Sequence, residues 1–246
     1  LFNGNPLLVD SQLYNAEARY EWYFARDQRV SVAGFYKKIK NPIETFSSFS
    51  DNTVVSSFAN APEATLYGAE VELQKYFPLE GLGNASWLAS RRVAVIANYT
   101  YTTSKLKVKE ADTVAVFSQA STRALDFFRD GSALTGQSDH LVNLQLGVED
   151  QDRLSQQTLL ITYATDRVTS RGAGFQPDII ERPGLRLDFV AREGFKVFGR
   201  EGELSFEARN LLRVRYKEFQ QNGDNIIFYN NYRIGTTFEL GLTFKF

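Results

Sequence analysis

The sequence predicts an all-β protein whose antiparallel strands cross a membrane as the wall of a β-barrel. Three observations predict it. Apolar and polar residues alternate with period two in about nine segments. Several of these segments are about 10–14 residues long, beyond the usual 5–6 of soluble strands and enough for a tilted membrane strand. The connections between them alternate between short and long, as the two rims of an outer-membrane barrel do.

The elements follow in chain order. Tyr14, Ala16, Ala18, Tyr20, Trp22 and Phe24 alternate with Asn15, Glu17, Arg19 and Glu21. A strand over Val30 to Ile39 comes next, although Phe35 beside Tyr36 blurs which face is which. Tyr67, Ala69, Val71 and Leu73 oppose Gly68, Glu70, Glu72 and Gln74, and Val93, Val95, Ala97, Tyr99 and Tyr101 oppose Asn98, Thr100 and Thr102. Val142, Leu144, Leu146 and Val148 oppose Asn143, Gln145, Gly147 and Glu149, and Leu159, Ile161 and Tyr163 oppose Thr158 and Thr162. Leu185, Leu187, Phe189 and Ala191 oppose Arg186, Asp188 and Arg192, and Leu204, Phe206 and Ala208 oppose Glu203, Ser205, Glu207 and Arg209. The clearest segment is the last, Arg233 to Phe246, with Ile234, Thr236, Phe238, Leu240, Leu242, Phe244 and Phe246 on one face. Successive strand side chains point to opposite faces, so each segment gives an apolar wall and a polar one.

The short connections fall near Ala25–Gln28, Pro78–Ser90, Asp150–Ser155 and Glu193–Gly202. The long ones fall near Asn41–Ala64, Lys105–Gly136, Thr165–Pro183 and Val214–Tyr232. With short turns periplasmic, the last strand runs inward and Phe246 ends at the periplasmic rim. Tyr20, Trp22, Tyr99 and Tyr101 gather near strand ends, as interfacial girdles do. The opposing reading is a soluble sheet with one face on a core, which alternates in the same way.

Composition removes other classes. No segment reaches the roughly 18 consecutive apolar residues of a membrane helix, although 43% of the 246 residues are hydrophobic. Net charge is −1 with both signs mixed, and nothing in it suggests a nucleic-acid stripe or a polybasic tether. There is no cysteine, and His140 is the one histidine, so a structural zinc site or a Ser-His-Asp triad has almost nothing to stand on. No phosphate loop of the form G-x-x-x-x-G-K-[ST] occurs. Asp51-Asn52 and Asp224-Asn225 read as turns before calcium ligands. No catalytic residue, metal or cofactor is expected.

Two groups remain as binding candidates. Glu70, Glu72, Arg186, Asp188, Glu207, Arg209 and Glu239 form a polar wall facing the lumen, available either to a transported solute or to one another as ion pairs. In the long loops, Phe127, Phe128, Arg129, Phe228, Tyr229 and Tyr232 offer aromatic and polar groups for a ligand, or pack the loops together.

The residues also carry a family resemblance. Phe2-Asn3-Gly4-Asn5-Pro6-Leu7-Leu8, followed by Asn15, Glu17 and Glu21-Trp22-Tyr23-Phe24, resembles the start of the C-terminal half of a TonB-dependent receptor barrel. Tyr67-Gly68-Ala69-Glu70-Val71-Glu72 resembles its "YGxExE" strand, and Leu134-Thr135-Gly136-Gln137-Ser138-Asp139-His140 with Asn143 its "LPGQxxHxxN" segment. Asn210-Leu211 with Tyr216 and Gly235 through Phe246 resemble its closing motifs. Thr236, Thr135 and Arg213 depart from the pattern and bear on subfamily. The resemblance implies that about nine strands here are the C-terminal part of a 22-stranded barrel with a plugged lumen. It implies a chain over 1–246 from which the plug domain and earlier strands are absent. It further implies an outer-membrane receptor of a Gram-negative bacterium that imports a siderophore, cobalamin-like cofactor or glycan. Energy would come from TonB, contacted through that plug region. No enzymatic step and no nucleic-acid partner are implied. A passive porin, a soluble β-sandwich or adhesin, and an enzyme inside a small barrel are the rival readings.

Overall fold

A computed structural model of the chain describes residues 2–244 except 51, 52, 84, 118 and 175. In chain order its strands are β1 (Gln12–Ala25), β2 (Gln28–Lys40), β3 (Ile43–Ser50), β4 (Thr53–Asn60) and β5 (Glu63–Pro78). They continue with β6 (Arg91–Lys107), β7 (His140–Asp150), β8 (Ser155–Ala164), β9 (Arg167–Gly172) and β10 (Ile179–Glu181). The last are β11 (Gly184–Val197), β12 (Arg200–Arg209), β13 (Arg215–Asn222), β14 (Asn225–Arg233) and β15 (Thr237–Phe244).

Nine of them form one antiparallel sheet in the order β1-β2-β5-β6-β7-β8-β11-β12-β15. These are the nine segments read from alternation, paired in sequence order, and we refer to this sheet as the wall. It is open: β1 and β15 are its two edges. The register keeps each face uniform. Glu21, Ser31, Glu72, Asn98, Asn143, Thr162 and Arg186 lie side by side across seven strands. The next row, Tyr20, Val32, Val71, Tyr99, Val142, Tyr163 and Leu185, is on the other face.

Among the described residues, no second layer covers the apolar face. Tyr20 is 71% exposed, Val32 47% and Leu240 71%. A soluble sandwich would bury such a row against a facing sheet; here it stands open. Phe35, ambiguous in sequence, pairs with Gly68 on the polar face, while Tyr36 pairs with Tyr67 on the apolar one. Phe35 lies over Gly68, where an added Cβ would fall 2.6 Å from its ring and 2.1 Å from the Tyr101 carbonyl oxygen.

The wall strands run further than alternation alone suggested at one turn and less far at another. The connection expected over Glu193–Gly202 shrinks to Phe198 and Gly199, both at positive φ (49° and 76°), the geometry of a two-residue hairpin turn. The last strand begins at Thr237 rather than Arg233, because Gly235 takes φ 80° and turns the chain. Its role is that left-handed turn, since an added Cβ there would meet nothing within 4 Å. Phe246 and the Asp51-Asn52 pair lie outside the described residues.

Most of the long connections are not irregular. Three of them build a second sheet in the order β14-β13-β10-β9-β3-β4, joined by a parallel contact between β3 and β9 (Phe46 with Arg171). The connection between β6 and β7 supplies no strand among the described residues and is bypassed by that sheet. It folds beneath it instead, and Val114, Val116, Phe127, Phe128 and Leu134 pack with Phe46 and Leu106 in the main hydrophobic cluster. That cluster also takes in Ile39 and Leu66 from the far ends of the wall strands.

Candidate functional site

A cleft of about 430 Å³ opens where the polar face of the wall meets the loop sheet. Asn143, Thr162 and Arg186 approach it from β7, β8 and β11, and Arg167, Glu181 and Tyr216 from β9, β10 and β13. Arg167 is held by Glu181 at 2.7 Å. Arg182, also on the lining, forks onto Asp166 at 2.7 Å. Among the described residues Arg215 reaches only the neutral amide of Asn231, at 3.0 Å. Arg186 is exposed and has no hydrogen bond or ion pair among the described residues. Guanidinium groups thus outnumber carboxylates on this lining, and one of them is free. A paired planar fork suits carboxylate or phosphate oxygens, so the cleft can hold an anion.

The other wall candidates are mostly occupied. Glu72 accepts from Arg19 at 2.7 Å, Ser31 at 3.1 Å and Arg29 at 3.3 Å. Glu70 accepts from the Asn98 amide. Asp188 accepts from the Asn210 backbone N–H at 2.6 Å, and Arg209 is paired with Glu207 at 2.6 Å. Glu239 stands directly across from Glu207, near the Arg209 charge that offsets their repulsion. Glu72, Glu207 and Arg209 are thus ion-paired and Glu70 and Asp188 hydrogen-bonded, while Arg186 and Glu239 make no direct hydrogen bond or ion pair among the described residues.

The loop candidates divide in two. Phe127 and Phe128 are 5% and 1% exposed, and their rings are taken up by the loop core, Phe127 meeting Phe46 edge-on at 5.1 Å. Arg129 remains at the surface and binds Asp178 at 2.7 Å. Tyr232 is half exposed and stacks on Tyr216 at 4.9 Å, which brings it to the rim of the cleft. Phe228 is exposed and meets Phe219 at 6.2 Å. The Tyr229 hydroxyl donates to Gln220 at 3.2 Å, and burial raises its pKa.

One cluster escaped the sequence reading. Arg171 (1% exposed) and Glu44 (2%) are buried together, Nη2 to Oε2 at 3.3 Å. Arg171 Nη1 binds Asp178 at 3.0 Å, while its Nε has no partner. The Thr135 N–H donates to Glu44 at 3.0 Å. Burial pushes the Glu44 carboxyl above its ordinary value, against the pull of Arg171 and Thr135. Four loop segments meet at this knot. Nothing in the local pattern marks it, since charged residues in a loop read as solvated.

Several motif residues turn out to be ties. The Asn5 amide donates to the Phe58 and Ala115 carbonyls, both at 2.9 Å, and its oxygen accepts from Leu7 and Phe117. Asn210, at φ 54°, binds Val214 and Gly235 with both ends of its amide. His140 meets the Tyr99 hydroxyl at 2.8 Å and lies against the Tyr101 ring, on the apolar face.

A family model described as TonB dependent receptor-like, beta-barrel matches residues 1–211. The chain belongs to this family. The match takes in β1 through β12. No curated protein and no solved structure matches the chain. TonB-dependent receptors are receptors and transporters of the Gram-negative outer membrane, not enzymes, and their barrel domains cross it with β-strands. In this TonB-dependent receptor barrel, Arg186 makes no hydrogen bond or ion pair among the described residues, and Tyr216, stacked on Tyr232, lies on the same cleft.

Proposed function

We propose that this chain is the C-terminal wall, with its loops, of a 22-stranded outer-membrane barrel that imports a scarce solute using energy delivered through TonB. A plug domain and earlier strands complete it and pair with the open edges β1 and β15. The apolar face lies against lipid, and the polar face lines the lumen. Siderophore, cobalamin-like cofactor and glycan all fit the architecture. The positive cleft favours a solute bearing carboxylate or similar anionic groups. The observation that carries the reading is the unbroken apolar row, open along a single-layer wall of a family member, backed by a polar row with one unpaired arginine.

No covalent step is needed. Arg186, with Arg215 beside it, holds the solute's oxygen atoms at the base of the loops, and Tyr216 and Tyr232 present ring faces above them. The test is uptake by cells carrying the full-length receptor, with and without TonB. Energised import requires that accumulation against a gradient vanish without TonB. Equal flux in both strains would favour a passive channel instead.

A further inference from the structure

The polarity of the wall reverses at its long-loop end. Along the apolar face, β2 runs Val30, Val32, Tyr36 and then Lys38 and Lys40, and β6 runs Val95, Tyr99, Tyr101 and then Lys105 and Lys107. On the opposite face at the same level, Ile39, Ala64, Leu66 and Leu106 join the loop core. The strands therefore leave an apolar surround just beyond Tyr36, Tyr67 and Tyr101, and what flanks them next suits lysine.

These lysines form a compact group. Lys38 and Lys105 lie on either side of Thr65, and Lys40 and Lys107 on either side of Glu63. The span across the three strands is about 10 Å. Glu63 binds Lys38 at 2.8 Å and Lys107 at 3.1 Å, so one carboxylate serves two ammonium groups. Lys40 lies over the Tyr14 ring at 5.6 Å, and Lys105 is exposed with no partner among the described residues. A surplus of positive charge thus sits above a tyrosine band on the outward face. Tyrosine bands mark the headgroup level of a bilayer, and lysines there attract anionic headgroups.

We propose that Lys38, Lys40, Lys105 and Lys107 bind the phosphate groups of a glycolipid in the outer leaflet, with Tyr14, Tyr36 and Tyr67 beside its sugar–acyl boundary. This rests on the membrane placement proposed above. The full-length receptor in detergent micelles is titrated with diphosphorylated lipid A, and separately with lipid A stripped of phosphate. A Lys40→Gln/Lys105→Gln pair spares the Glu63 bridge. Lys75→Gln, over Phe77 at the opposite rim, is the control. Each lysine at a headgroup contributes roughly five-fold, so the pair is expected to weaken the diphosphorylated lipid about 25-fold. Lys75→Gln and the stripped lipid should show no such change. Equal binding of the two lipids, or an unaffected double variant, overturns the proposal. Full displacement by inorganic pyrophosphate would overturn the lipid source in favour of a free-phosphate site. A receptor that stays monodisperse in buffer without detergent would instead sink the membrane placement itself.

Discussion

Replacing Arg171 by Met removes the cation that the buried Glu44 and the partly buried Asp178 share. Asp178 keeps Arg129 and the Gly172 N–H, but Glu44 keeps only the Thr135 N–H. Leaving one member of a buried pair uncompensated costs about 3–5 kcal/mol. The loss belongs to the loop sheet, because Arg171 and Glu44 join β9 and β3 there. Hydrogen exchange of the Ala173 amide, which donates to the Ser47 carbonyl, reads that sheet directly. A loss of about 3 kcal/mol accelerates exchange through local opening roughly 150-fold. Amides in the wall pairing of β5 with β6 should not change. The pH dependence has a defined sign. Burial raises the folded-state pKa of Glu44, so the folded loops bind its proton more readily than the unfolded chain. The stability tied to that proton is whole below the ordinary carboxylate range and is lost as pH rises through the raised value. Without Arg171 the value rises further, so the gap between wild type and variant widens with pH. A Glu44→Gln/Arg171→Met double variant removes the stranded charge and recovers much of the loss. Unchanged Ala173 exchange in Arg171→Met, or a double variant as labile as the single one, would refute the reasoning.

Further outcomes follow from single contacts. Gly68→Ala forces the Tyr101 carbonyl and the Phe35 ring apart and should lower wall stability by about 1–3 kcal/mol, read from thermal melting of the detergent-solubilised receptor. A Phe35→Ala/Gly68→Ala pair relieves the ring clash alone, so partial recovery is expected. Asn210→Ala loses the bonds to Val214 and Gly235 at a left-handed position, a cost of about 1–3 kcal/mol, visible as faster exchange at the Val214 amide. Arg186→Gln should raise the half-saturating concentration of an anionic solute about tenfold or more while leaving the melting temperature in place, since Arg186 holds no other residue among those described. An unaltered uptake curve would remove Arg186 from the solute path.

Most of the wall was legible because period two is a local signal. Each strand wrote its faces into its own residues, and pairing then followed chain order. Phe35 was the local exception. It sits on the polar face because Gly68 beside it leaves a ring-sized space, a fact about the neighbouring strand. The loop sheet was illegible for a similar reason. Residues 43–50 read Ile-Glu-Thr-Phe-Ser-Ser-Phe-Ser, short and rich in serine, and their partner β9 lies more than a hundred residues away. Ser47 and Ser170 share a buried hydrogen bond at 2.7 Å, which no local pattern announces. The cleft was half legible. Alternation put Arg186 on the polar face, but only the distribution of ion pairs distinguishes it from Arg209, which has the same sequence signature and is spoken for.

The two sheets are stabilised differently, and the difference bears on where each belongs. The loop sheet has a closed hydrophobic cluster in which Phe46 and Leu106 are fully buried. The wall has none of that kind. Apart from Ala64 and Leu106, whose side chains join that cluster at the long-loop end, its deeply buried apolar residues are small, Ala33, Ala94 and Ala208, while Trp22, Phe238, Leu240 and Leu242 are 57–71% exposed. Its backbone ladders are complete between β1 and β15, so hydrogen bonding asks nothing more of the interior. What is unmet is the transfer of those exposed side chains out of water, each about 1.5–3 kcal/mol when completed. Summed over a face nine strands wide, that deficit is too large for a sheet to hold against solvent, and no element of the loops reaches across to cover it. Hydrocarbon supplies the second layer that this architecture lacks. Exchanging detergent for buffer should therefore disorder the wall first and leave the Phe46 cluster to fail later.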